Sequence, residues 1–433
     1  MARLLFHGGQ VFDATGDEPE PPKPADIVVD DGRIVSVGPG LDGDEAIDCA
    51  GKTLVPGLFD CHTHVMVSHF DMWKMAQTPF SLQFFEAARN LEATLAAGIT
   101  TVRDAGGADL GVKTAVERGL VNGPRMQISI SMISQTGGHG DKWMVCGGDF
   151  PTPFGAGHPG KPTGLADGPL EVRKKVRELI RAGADVIKVA TSGGVLSPRD
   201  DPRHGHFRDD ELTALVTEAA AMGRWVMAHS QATDGIKASI RAGIRSIEHG
   251  IYLDDEAIEM MIDRGTYLVP TLMAPRGVLE LAASGANIAD ESLRKAEMVV
   301  DIHTESISRA MAAGVKVAMG TDSGVTPHGQ NLRELALMVD GGMTPVQALV
   351  ATSRTAAELL GVDGELGTLE PGKRADIVVV DGDAMEVAKL ADRIEAVWKD
   401  GELVVDASGE RQVIGHLPER QPDGARRRPM TAI

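Results

Sequence analysis

Eight short apolar runs alternate with helix-period segments through the middle of this 433-residue chain, and that alternation limits the fold more than any other feature. The runs occupy residues 54–60, 100–105, 125–131, 185–190, 225–229, 245–249, 267–271 and 315–322. Stretches between them, such as 170–182 and 209–222, repeat apolar residues every three or four positions and close near glycine, as amphipathic helices do. Strands alternating with helices predict parallel strands with crossover helices. Eight such units in about 270 residues match the size of a (β/α)8 TIM barrel, with a doubly wound open sheet as the competing arrangement.

The two ends read differently. Residues 26–38 form two short strand patterns around Asp31-Gly32, and residues 375–382 and 396–405 repeat that pattern with Asp381-Gly382 and Asp400-Gly401. Chain ends tend to lie close together, so these pieces are expected to form one composite β-sandwich beside the barrel. The resulting division is 1–55 for its first part, 56–364 for the barrel, 365–410 for its second part and 411–433 for a tail. That tail, with Arg426-Arg427-Arg428, is expected to fray or to pack on a neighbouring subunit of a homo-oligomer. The connection 134–168 is too long for a plain crossover and is expected to serve function.

Composition narrows the partners. With 43 Lys and Arg against 62 Asp and Glu, a net charge of −19 repels nucleic acid and anionic membranes and leaves a small molecule as the expected partner. Three separated cysteines, Cys49, Cys61 and Cys146, suit reduced thiols. Neither a signal-peptide pattern nor a membrane-length apolar run is seen, so a cytoplasmic location is expected.

Chemistry concentrates where the runs end. In Asp60-Cys61-His62-Thr63-His64, side chains two apart on a strand point the same way, so His62 and His64 share one space. Alone, such a pair is equally explained by hydrogen-bonded polar strand ends. Lys188, His229, His249 and Asp322 also sit at the C-terminal ends of runs, the side on which such barrels build active sites. Imidazole and carboxylate ligands suit Zn²⁺ first, then Mn²⁺, Co²⁺ or Fe²⁺. Lys188 would bury an ammonium among cations, at high cost. Addition of CO₂ to its amine would make an anionic carbamate able to bridge two metals, whereas snorkelling to the rim or pairing with a carboxylate is the plain alternative.

These features resemble the amidohydrolase superfamily over nearly the whole chain: Val55-Pro56-Gly57-Leu58-Phe59-Asp60-Cys61-His62-Thr63-His64, Lys188 with Ser192-Gly193-Gly194, Ala228-His229, Ile247-Glu248-His249-Gly250, Gly320-Thr321-Asp322-Ser323 and Gly367-Thr368-Leu369-Glu370-Pro371-Gly372. Within it, Thr136-Gly137-Gly138-His139-Gly140-Asp141 and the segment 190–197 resemble the prolidase-like and arginine-carboxypeptidase-like branch related to imidazolonepropionase. The resemblance implies two divalent metal ions, one held by His62, His64 and Asp322 and the other by His229 and His249, with carboxylated Lys188 and a hydroxide bridging them. It also implies that His139 binds the scissile carbonyl or a substrate carboxylate. Asp322 would take the proton from the attacking water and deliver it to the leaving amine. Peptidase members carry Tyr two residues after the His229 position; this chain has Gln231, an amide that could still bind a carbonyl.

The expected activity is hydrolysis of an amide or peptide C–N bond, as in an Xaa-Pro dipeptidase or a carboxypeptidase. Xenobiotic amide, carbamate or phenylurea hydrolysis is the alternative, and a metal-free scaffold the alternative of another class. An imidazolone-ring hydrolase is disfavoured by Lys188. His328, after Asp322, is a further substrate-binding candidate, as are His204 and His206 beside Arg203 and Arg208, all otherwise solvated. Trp143 and Met144 would line an apolar pocket or pack beneath the long loop, and Cys61 is expected to pack.

Overall fold

The computed structural model describes residues 2–145, 147, 149, 157–197 and 199–407. Cys146 and the arginines of the tail lie outside the described residues. The fold mixes helices with parallel and antiparallel sheet.

Strands Leu58–Thr63, Ile99–Asp104 and Arg125–Ile128 form one parallel sheet. Met132–Ile133, Val186–Ala190, Trp225–Ser230, Ser246–His249 and Tyr267–Val269 form a second, also parallel. Asp185 N donates to Ile128 O at 2.8 Å between the two sheets. Segment 315–322 runs from the last strand back to the first: Leu268 N donates to Lys316 O at 2.8 Å, Cys61 N to Met319 O at 2.9 Å and Asp322 N to His62 O at 2.7 Å.

Two of the eight expected runs differ from their reading. Segment 315–322 carries isolated bridges, Leu268 with Val317 and Thr63 with Ser323, instead of a continuous ladder. Asp322, at φ +61°, leaves the extended conformation at the end of this segment, and Gly320 lets Val269 pack closely, since a Cβ there would lie 2.4 Å from Val269 Cγ1. Run 54–60 divides at Gly57, where a Cβ would stand 2.3 Å from Thr100 Oγ1. Residues before it belong to strand Lys52–Pro56, which pairs antiparallel with Ile377–Asp381 near the other end of the chain. The strand Met132–Ile133 was not expected and pairs with Val186–Ala190.

Both chain ends build the remaining sheets. Glu402–Asp406, Ile394–Lys399, Ile377–Asp381, Lys52–Pro56, Gln10–Val11 and Lys23–Pro24 lie in that order in a six-stranded sheet. A four-stranded sheet, ordered Arg33–Gly38, Asp26–Asp30, Leu4–His7 and Glu45–Asp48, packs with it through Phe6, Ile27, Ile34, Leu54, Ile377 and Trp398. The Phe6 and Trp398 rings meet edge to face at 5.1 Å, a favourable aromatic geometry.

The helices follow their apolar period. In Gly168–Arg181, Val172, Val176 and Leu179 are buried on one face, and Pro169 opens the first turn where its missing N–H costs nothing. Asp209–Ala221 buries Leu212 and Leu215 against the same core. Among the described residues no helix is long and apolar enough to cross a membrane.

Candidate active site

The C-terminal ends of the parallel strands bring polar side chains into one buried space. His62 Nδ1 donates to Glu248 Oε2 at 2.8 Å, His64 Nδ1 to Gly106 O at 2.7 Å and His249 Nδ1 to Thr271 Oγ1 at 2.7 Å. The Thr271 hydroxyl spends its own hydrogen on Pro270 O, so it accepts from the ring. Each imidazole thus has Nδ1 tied to an oxygen and Nε2 left as its ligand atom, the arrangement metal-binding histidines use. His62 Nε2 and His64 Nε2 approach Asp322 Oδ1 at 3.6 and 3.2 Å. His62, His249 and Asp322 each place a ligand atom within 4.8 Å of the others.

Lys188 lies at the same place, 2% exposed, with Nζ 3.4 Å from His62 Nε2. Among the described residues no carboxylate pairs with it, and burial lowers its pKa to about 8. Burial, then nearby positive groups, push His62, His229 and His249 well below the usual histidine range, leaving neutral imidazoles at neutral pH. Burial pushes Asp322 upward, but the adjacent His64 and the neighbouring His62 and Lys188 outweigh it and hold the carboxyl at about 2. Neutral imidazoles and an ionised carboxylate are donors that suit a divalent cation, so these residues fit one. His249, Thr271 and Asp322 all have left-handed backbones, with φ of +73°, +53° and +61°, a strain that clusters at functional sites.

His229 stands at the edge of this group. Its Nε2 meets Gly193 O at 3.1 Å, and its ring stacks on His139 with centroids 4.0 Å apart. Gly194 lies beneath the pair: a Cβ there would fall 2.3 Å from His139 Cε1 and 2.9 Å from His229 Nε2. His139 therefore reaches the site from the long 134–168 connection. Gln231 is buried with Oε1 lacking a partner, and the buried His206 likewise leaves Nδ1 unpaired.

Other candidates are occupied elsewhere. His328 places Nε2 3.0 Å from Val67 O and Nδ1 3.4 Å from Thr94 Oγ1, so both ring nitrogens hold the loop to the barrel side. Trp143 is half exposed beneath the Arg199 guanidinium at 5.0 Å. Arg203 pairs with Asp201. Cys61 is buried, and burial pushes its thiol up, away from reactivity.

Sequence reasoning missed three buried charges around the histidines. Glu248 accepts from both His62 and Arg103, and Arg103 also donates to Cys61 O at 2.7 Å. Asp60 accepts from His62 N at 3.0 Å, Thr321 N at 3.1 Å and Asn331 Nδ2 at 2.8 Å, tying the first strand to the Asp322 segment. The signal available was a charged residue interrupting an apolar strand.

Comparison with known proteins identifies the group that shares this architecture. The amidohydrolase family matches residues 53–404. An ochratoxinase from Aspergillus niger is 35% identical over 421 residues, which covers 92% of this chain and 86% of that enzyme. The crystal structure of a Xaa-Pro dipeptidase with methionine bound in its active site is similar at a TM-score of 0.84 and 33% identity, covering 93% of this chain and 99% of that one. A prolidase complexed with N-methylphosphonate-L-proline is similar at a TM-score of 0.84 and 35% identity, covering 93% and 100% of the respective chains. With the family match spanning residues 53–404 and these relatives following nearly the full length, the chain belongs to the amidohydrolase family and is a hydrolytic enzyme acting on C–N bonds.

Proposed function

We propose that this chain hydrolyses an amide or peptide bond of a small substrate, such as an Xaa-Pro dipeptide, using two divalent metal ions, zinc foremost. The observation that carries the reading is the shared orientation of His62, His64 and His249, each anchored through Nδ1 with Nε2 left beside Asp322 and Lys188. The two parallel sheets and segment 315–322 are read as one (β/α)8 barrel over 56–364, and 1–55 with 365–410 as the composite β-sandwich beside it.

His62, His64 and Asp322 would hold one ion and His229 and His249 the other. Lys188 would bridge them after its neutral amine adds CO₂, forming an N–C bond and releasing one proton. When bound, the ions supply Lewis-acid polarisation of the carbonyl and lower the pKa of water towards about 7. Asp322, ionised down to about pH 2, accepts the proton of the attacking water and returns it to the leaving nitrogen as the C–N bond breaks. His139 and Gln231 orient the substrate carbonyl or carboxylate from the rim.

The test is a panel of Xaa-Pro and Xaa-Arg dipeptides, ochratoxin A and phenylureas, assayed with zinc-loaded and chelator-stripped protein. Cleavage of one class that disappears on stripping and returns with zinc is the expected result. Hydrolysis undiminished in metal-free protein, or no hydrolysis of any member by fully loaded protein, would sink the reading.

A further inference from the structure

Helix Asp290–Ala312 contributes one buried cation to the loop beneath His139. Lys295, 6% exposed, donates to Gly194 O at 3.2 Å and Ser197 O at 2.8 Å, to Asp200 O, and to Asp200 Oδ1 at 3.2 Å. Glu291, one turn earlier, stands 3.9 Å away and is half exposed. The Asp200 side chain is 2% exposed and also accepts from Gly194 N at 3.1 Å. Its Oδ1 takes the hydroxyl hydrogen of Ser197, whose Oγ is 2.7 Å from His139 Nδ1, while its Oδ2 lies 3.4 Å from that same nitrogen.

Donor counting fixes the ring. A serine hydroxyl has one hydrogen, and its acceptors here, Asp200 Oδ1 and Gly194 O at 3.2 Å, are oxygens that have none to give, so Ser197 Oγ accepts from His139 Nδ1–H. Nε2 is then the ring nitrogen available to a substrate. We propose that Lys295 and Asp200 are positioning residues for the reaction, acting together through Ser197 on His139. The proposal rests on the reading that His139 meets the substrate.

A buried ion pair alone would be weak support, since such pairs are often neutral for stability. Three features give this pair a direction. All the carbonyls that Lys295 binds belong to one short loop, 194–200. That loop carries both the glycine beneath the His139 ring and the serine at its Nδ1. The oriented ring stacks on His229, a proposed metal ligand, so a shift of the loop is felt where substrate and metal meet.

The experiment uses full-length zinc-loaded protein and the best substrate of the panel. Asp200→Asn and Ser197→Ala should each lower kcat about 10- to 100-fold, the scale of a misplacement near 1 Å, with zinc content unchanged. In a His139→Ala background the same substitutions should change kcat less than about twofold, because residues acting through one group do not add. Lys295→Met combined with Asp200→Asn, which strands no buried charge, should match Asp200→Asn alone. Spectra of ¹⁵N-histidine-labelled protein should show a hydrogen-bonded His139 Nδ1–H that Ser197→Ala removes, a readout needing no substrate. Equal losses in both backgrounds would reduce Asp200 to a structural role and overturn the proposal. Unchanged kcat in Asp200→Asn and Ser197→Ala overturns it too. Full activity of His139→Ala would instead remove His139 from the substrate site, a failure of the underlying reading recognisable because the labelled Nδ1–H signal persists in wild type.

Discussion

Glu248 Oε2 stands 2.8 Å from His62 Nδ1, and the other oxygen of the same carboxylate takes the Arg103 guanidinium at 2.9 Å. All three side chains are buried, so the imidazole is oriented by an anion that is itself held in place by a cation. Such outer partners fix the tautomer and raise the basicity of a metal ligand.

Glu248→Gln should therefore weaken metal binding about 10- to 100-fold, the usual cost of losing an outer partner. Competition titration with a zinc-chelating dye reads this directly. Affinity equal to wild type would show that His62 needs no anion behind it.

Gly194 makes a steric prediction. An alanine methyl would meet His139 Cε1 at 2.3 Å and His229 Nε2 at 2.9 Å, so Gly194→Ala must separate the stacked rings. Overpacking of this kind costs about 1–3 kcal/mol, and turnover should fall with it. Gly364, where a Cβ would meet nothing within 4 Å, is the control and should accept alanine without loss. Thermal melts and kcat of both variants decide the matter, and equal behaviour of the two would contradict the packing described.

His303 gives the pH dependence. It is fully buried, with Nε2 2.9 Å from His249 O, and burial lowers its pKa to about 4 from the ordinary 6.5. Between those values the unfolded chain holds more protons than the folded one, so stability falls as pH drops from about 6.5 to about 4. At pH 5 the loss from this one group is on the order of 2 kcal/mol. His303→Gln keeps a donor without a titrating ring, so its urea midpoint should fall less than that of wild type between pH 7 and pH 5. Parallel midpoints would assign the acid sensitivity to other groups.

Much of the site was legible because strand ends announce themselves. His62 with His64, Lys188, His229, His249 and Asp322 lie in or just after five apolar runs, toward the C-terminal ends of the strands in the two parallel sheets and of segment 315–322. Glu248 was harder to read: it adjoins His249 on the same strand, and period-two alternation would point the two apart. The left-handed backbone of His249 breaks that alternation and lets both serve one space. Lys295 and Asp200 were invisible for another reason. They lie 95 residues apart, and a lysine in an amphipathic helix reads as solvated until packing shows what covers it. The strand expected over 315–322 is present only as isolated bridges for a similar reason, since a run of apolar residues does not reveal that Asp322 will take a left-handed backbone.

Lys188 carries the last prediction, because its charge must change sign for two ions to share the site. As an ammonium beside a divalent cation about 4 Å away, it would be repelled by several kcal/mol even at an effective dielectric near 20. Its pKa of about 8 keeps a fraction of the amine neutral at pH 7 and so open to CO₂. The strand Val186–Ala190 is otherwise apolar and buried, with nothing in its ladder that needs the amine. Lys188→Ala should accordingly stay folded while metal content drops below two ions per chain and turnover falls about 10³-fold, several kcal/mol of lost Lewis-acid assistance. Acetate or propionate, small enough for the vacated space, should restore part of both. Metal analysis, turnover with and without added acid, and circular dichroism together test this. Full occupancy in the alanine variant would place the second ion on a different set of ligands.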